Sequence, residues 1–162
     1  RPKHSAQAVG GVPQSADFTR LAELQEVKMR EILFRGTTFK GEWVEGFYMT
    51  NSSGETFIQV EDAYSTKDVY PETVGQFTGL LDKNGTRIFE GDIVKRIFVD
   101  EHLQEIEQLW EVYWGQWCWM KKKANGIGFS FDSIEARDSE VIGNIHDNPE
   151  LLSERSVVSG RE

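Results

Sequence analysis

Apolar residues fall in short runs broken by polar or glycine-containing segments, and no helical spacing recurs within the body of the chain. Ile32 to Phe34 reads as a short strand, and Thr37 to Lys40 as a turn. Glu42 to Met49 predicts a second strand, Asn51-Ser52-Ser53-Gly54 a turn, and Thr56 to Val60 a third strand. Glu61 to Asp68 is polar and reads as a loop. Val74 to Leu80 is the next strand, followed by Asp82-Lys83-Asn84-Gly85, whose Asn-Gly pair is a strong hairpin signal. Thr86 to Phe89 begins the returning strand, Glu90-Gly91-Asp92 turns, and Ile93 to Val99 is a clear β run.

Asp100 to Gln108 is acidic and reads as a loop or one helical turn. Glu111 to Trp114 and Trp117 to Met120 flank Gly115-Gln116, which reads as a two-residue turn or a bulge. Lys121 to Gly128 reads as a basic loop, Phe129 to Phe131 and Ser139 to Ile145 as the last strands, and Asn148 to Leu152 as a chain stop. Many short strands, with turns about every eight to twelve residues, predict an all-β barrel or sandwich. The first strands together form a hairpin-rich N-terminal unit.

The two ends differ in character. Arg1 to Asp17 is rich in Ala, Gly, Ser and Pro, while Phe18 to Met29 places Leu21, Leu24 and Val27 at helical spacing. Met29 to Gly36 looks like a natural start, and Gln25-Glu26-Val27-Lys28 is compatible with codons carrying a bacterial ribosome-binding stretch. Residues 1–28 are therefore expected to be a tag or translated leader, or else a flexible arm, with residues 29–152 as the domain and 153–162 as a flexible tail. The coding DNA is the test of that expectation.

Charge narrows the choice of partners. The chain carries a net charge of −9. Residues 29–152 hold 12 Lys and Arg against 22 Asp and Glu, so the acidity belongs to the domain. An acidic surface is repelled by phosphate backbones and anionic lipid and attracted to basic partners. Glu61, Asp62 and the stretch Glu101 to Glu111 are the expected negative face. The single cysteine, Cys118, excludes an intrachain disulfide and suits a cytoplasmic setting. Its place between Trp117 and Trp119 reads as a packed strand position. No apolar run is long enough to span a membrane.

No catalytic motif emerges. Gly75, Gly79, Gly85 and Gly91 lack the spacing of a phosphate loop and read as turn residues. His4, His102 and His146 form no H-x-x-x-H pair, so neither zinc nor another cofactor is expected. His146-Asp147 as base and orienting acid, and Glu42 with Glu45 or Glu90 with Asp92 as paired carboxylates, are weaker readings than surface charge. The densest cluster is aromatic and basic. Trp114, Trp117 and Trp119, followed by Lys121, Lys122 and Lys123, form a candidate partner or nucleic-acid surface in which rings stack on bases and lysines hold phosphates. The competing reading divides the indoles between core and an oligomer interface.

Several segments carry a family resemblance. Pro71 to Leu80 strongly resembles the signature of YopX-like phage proteins. Asp82 to Gly85 running into Ile88-Phe89-Glu90-Gly91-Asp92-Ile93-Val94 does so as well. Met29 to Gly36, Glu42 to Gly46, and Ile142 to Leu151 match too, so the likeness covers residues 29–152. It implies a phage or prophage origin, a mainly-β fold that includes an SH3-like barrel, and self-association. It implies no activity. The expectation is a non-enzymatic, self-assembling protein-interaction module in the bacterial host cytoplasm, with a host or phage protein as partner. The alternative is a single-stranded nucleic-acid binder. A metal-dependent hydrolase built from dispersed carboxylates is the third reading.

Overall fold

The computed structural model describes residues 31–60, 65–123 and 125–153. The chain divides at residue 30, and the described residues all belong to the part that follows. The expectations for residues 1–28, for Glu61 and Asp62, and for the tail beyond Ser153 lie outside the described residues.

Two antiparallel sheets make up this unit. The first contains β1 (Phe34–Thr37), β2 (Trp43–Thr50), β3 (Thr56–Val60), β4 (Thr66–Asp68), β5 (Gly75–Leu81) and β6 (Arg87–Phe89), in the order β4-β3-β2-β1-β5-β6. The second contains β7 (Asp92–Val99), β8 (Glu105–Trp114), β9 (Trp119–Lys122), β10 (Gly128–Ser130) and β11 (Ser139–Asn144), in the order β10-β9-β8-β7-β11. A 3-10 turn (Pro71–Thr73) precedes β5. Helix α1 (Ser133–Arg137) precedes β11, and α2 (Glu150–Ser153) follows it. No helix among the described residues is long and apolar enough to cross a membrane.

The mainly-β expectation holds, but neither ladder closes on itself. The reason lies at Glu90-Gly91, where the chain passes from β6 in one sheet straight into β7 in the other. Gly91 adopts φ +83, a conformation that glycine enters without penalty. Its amide donates to the Val112 carbonyl, and its own carbonyl accepts from Ile145. The β5–β6 corner thereby lies over the second sheet. One core joins Leu80 and Ile88 of that corner to Val94, Trp110, Val112, Trp119, Phe131, Ala136 and Val141. Leu33, Phe77 and Phe89 form a smaller core beside β1. A fully buried Val, Leu, Ile or Phe among them contributes roughly 1.5–3 kcal/mol.

Several sequence expectations are corrected. The first strand is Phe34–Thr37, so Ile32 precedes it and Thr37 belongs to it. Asp100 to Gln108 is a loop only in its first half: β8 starts at Glu105, after a turn in which Asp100 Oδ1 accepts from the amides of His102 and Gln104. The carboxylates that suggest a loop occupy the face turned away from the core, while Trp110 and Val112 face inward at the two-residue period. Thr66–Asp68, expected in a loop, pairs with β3. The β8–β9 connection has four residues, closed by Gly115 N–H to Cys118 O at 2.9 Å. Cys118 therefore sits exposed in a turn and not packed in a strand. Lys121 and Lys122 belong to β9. Asn148 to Leu152 leads into the short α2.

Candidate functional site

In β8 and β9, successive side chains take opposite faces, and this divides the aromatic and basic cluster. Trp119 pairs with Trp114 across the ladder and Lys121 with Val112, so all four share the core side. Trp119 is only 7% exposed and meets Trp114 edge-on, with ring centroids 4.9 Å apart. Lys121 is 4% exposed; its ammonium lies 4.6 Å from the Trp110 ring and pairs with Glu135 Oε1. Glu135 in turn meets Arg96, which also reaches Asp138. Lys122 points to the opposite face, 3.0 Å from Glu111 and over the Tyr113 ring. Lys123 stands over Trp110 at 4.7 Å.

The expected surface of Trp114, Trp117, Trp119, Lys121, Lys122 and Lys123 is therefore not a single face. Trp119 and Lys121 are interior, and Lys122 is paired. Trp114 is half exposed and Trp117 is 88% exposed at the turn. Beside that turn an open hollow of about 370 Å³ is lined by Tyr113, Gly115, Gln116, Trp117, Cys118 and Met120.

A second cluster joins the two sheets. Arg35 of β1 places Nη2 2.5 Å from Asp92 Oδ1 at the start of β7. The guanidinium lies 4.9 Å from the ring centres of both Trp43 and Phe89. Asp92 Oδ2 accepts the Phe89 amide at 2.7 Å. The Asp92 side chain is 1% exposed, and burial raises its pKa to about 6 against the opposing pull of Arg35 and the Phe89 amide. Next to this pair, Asp147 accepts from Asn144 Nδ2 at 2.8 Å and Trp43 Nε1 at 2.7 Å, and these bonds hold its carboxyl below the usual range. His146 is exposed, with its ring centroid 6.0 Å from that of Trp43. Asp147 thus holds an indole and an amide, not an imidazole. Among the described residues no three His, Cys, Asp or Glu side chains gather as a metal site.

Sequence reasoning did not single out this junction, although every segment that supplies it carries the family resemblance. A buried ion pair between aromatic rings, tied to backbone amides, is suited to fixing two sheets against each other. Glu90 also contributes, accepting the Trp114 amide at 3.3 Å.

The chain is similar to the crystal structure of protein EF1440 from Enterococcus faecalis, with a TM-score of 0.52 and 26% identity, over 75% of this chain and 98% of that one. No curated protein matches. The family profile described as YopX protein matches residues 27–153, a span containing every strand of the two sheets, and the chain belongs to that family.

Proposed function

We propose that this chain is a non-enzymatic phage or prophage accessory protein that assembles with copies of itself and contacts a host or phage protein in the bacterial cytoplasm. The observation that carries this reading is the β2–β3 hairpin. Phe47, Tyr48 and Met49 are consecutive in β2 and all exposed. Consecutive strand positions point to opposite faces, so the hairpin presents apolar groups on both sides. Apolar patches of this kind mark interaction surfaces. We also read the β5–β6 corner, folded over β7, β8, β9 and β11, as an open SH3-like arrangement.

The test is light scattering coupled to size exclusion. The full chain is expected to run as a defined oligomer, and Phe47→Ser/Met49→Ser to run smaller while keeping its circular dichroism. A monomeric wild type, or an oligomer unmoved by the double substitution, overturns the assembly surface. The nucleic-acid reading loses support because Lys121 is buried and Lys122 is paired with Glu111.

A further inference from the structure

Burial falls away along the β7–β8 hairpin. At its base Ile93 and Val94 are fully buried. Toward its apex Ile97 is 50% and Val99 62% exposed, and Leu103 in the turn is 86% exposed. Ile97 stands opposite Glu107 and Val99 opposite Glu105, so these four side chains share the face turned away from the core. Leu109, opposite Lys95, extends the strip toward the base.

Charge surrounds the strip on one side of neutrality. Glu101, Glu105 and Glu107 are exposed, and Asp100 lies at the turn. Two cationic or titratable groups face them among the described residues. Lys95 lies 3.8 Å from both Glu107 and Glu140, and His102 lies 3.7 Å from Glu101. Leu103 also holds φ 61, a left-handed conformation uncommon for a bulky residue. A glycine or asparagine would meet that backbone demand more readily.

We infer that the β7–β8 apex is a docking surface for a basic protein segment in which Lys or Arg flank a few apolar side chains. The apolar side chains cover Ile97, Val99 and Leu103, and the flanking cations meet Glu101, Glu105 and Glu107. Anionic lipid and nucleic acid are repelled by the same carboxylates. This rests on the reading of the chain as a protein-contact module but not on self-association, since the surface lies on a different hairpin from Phe47 and Met49.

The experiment uses the full chain and a fluorescent synthetic peptide, Lys-Lys-Val-Leu-Val-Lys-Lys, followed by anisotropy. Controls replace its lysines by glutamates, or its apolar centre by Ser-Gly-Ser. A single-stranded oligonucleotide and anionic vesicles are run beside them. The basic apolar peptide is expected to bind and both controls to fail. Leu103→Gly is expected to keep its Tm, because glycine suits the turn, and to weaken binding about tenfold or more. Glu105→Gln/Glu107→Gln is expected to weaken binding and flatten its salt dependence. Absence of peptide binding up to millimolar concentration overturns the inference. So does equal binding by the variants or by the Ser-Gly-Ser control, or preference for the oligonucleotide or vesicles. Light scattering on the same samples keeps the two ideas separate: an oligomer that ignores the peptide sinks this inference alone, and a monomer that binds it sinks self-assembly alone.

Discussion

Replacing Asp92 by asparagine removes a charge from the sheet junction while leaving an oxygen able to accept the Phe89 amide. The folded-state pKa of Asp92 is about 6, against 3.8 for an unperturbed carboxyl. At 1.36 kcal/mol per unit, that difference corresponds to about 3 kcal/mol. The folded value is the higher one, so between about pH 4 and 6 the folded protein holds a proton that the unfolded chain has released. Stability arising from Asp92 therefore falls as pH rises through that window and is level above it. The asparagine variant lacks this dependence. Urea unfolding of both proteins at pH 4, 5, 6 and 7, followed by tryptophan fluorescence, is expected to show the variant gaining about 2.4 kcal/mol relative to wild type from the lowest pH to the highest, since part of the window lies below pH 4. Other titrating groups act in both proteins and cancel in the difference. The absolute offset reflects Arg35, which loses its anion but remains between the Trp43 and Phe89 rings. Arg35→Met is expected to move the window upward, because the guanidinium lowers the Asp92 pKa. A pH-independent difference refutes this reasoning. A difference of opposite sign shows that ion pairing outweighs burial.

Three further variants probe the network beneath the aromatic turn and the Asn-Gly hairpin. Glu135→Ala strips the partner from Lys121, whose side chain is 5% exposed, and is expected to lower stability by about 3–5 kcal/mol in urea unfolding. Lys121→Met combined with Glu135→Leu should recover most of that loss, because an apolar pair carries no stranded charge. Asp82→Ala removes the acceptor for the amides of Asn84, Thr86 and Val141, and is expected to cost at least about 3 kcal/mol. Burial raises the Asp82 pKa, but the amide bonds outweigh it and hold the group low. Its contribution is thus present at neutral pH and lost as acid protonates it below the usual carboxylate range, the reverse of Asp92. The difference between Asp82→Ala and wild type should shrink in acid.

Strand positions were legible wherever turn chemistry bounded them. Asn84-Gly85 and Gly91 mark two such boundaries, and β3 and β7 lie almost where alternation and β-branched residues place them. Misreadings arose where composition hid period. Glu105 and Glu107 make the start of β8 look like a loop, yet Ile106, Trp110 and Val112 lie at even spacing along one face. Helix α1 is too short for periodicity to register. Its signal was the cap: Asp132 accepts from the amides of Ile134 and Glu135, the arrangement expected when an acidic residue follows an N-cap by three. The candidate site failed for a similar reason. Neighbours in sequence such as Lys121 and Lys122 cannot share a face of a strand, so a run of lysines following tryptophans divides between the core and the surface. Arg35 and Asp92 could not be paired from one sequence, since only the topology brings β1 beside the start of β7.

The segments that identify the family are the ones that build this junction. A side chain at Gly75 would strike the Glu90 carbonyl, and one at Gly36 would crowd Ile58 and Val69. Arg35, Trp43, Asp92, Asn144 and Asp147 then close the gap between the sheets through charge and hydrogen bonds. A junction so constrained tolerates little change and contributes mainly to stability. The hairpin ends bear no such constraint, and they leave Phe47, Met49, Leu103 and Trp117 exposed, where burial in a contact is favourable. Substitutions in the recognisable motifs should therefore change unfolding midpoints, and substitutions at the β2–β3 and β7–β8 hairpins should change association. If Arg35→Met altered assembly without altering stability, or Leu103→Gly unfolded the protein, this division of labour between junction and hairpins would be wrong.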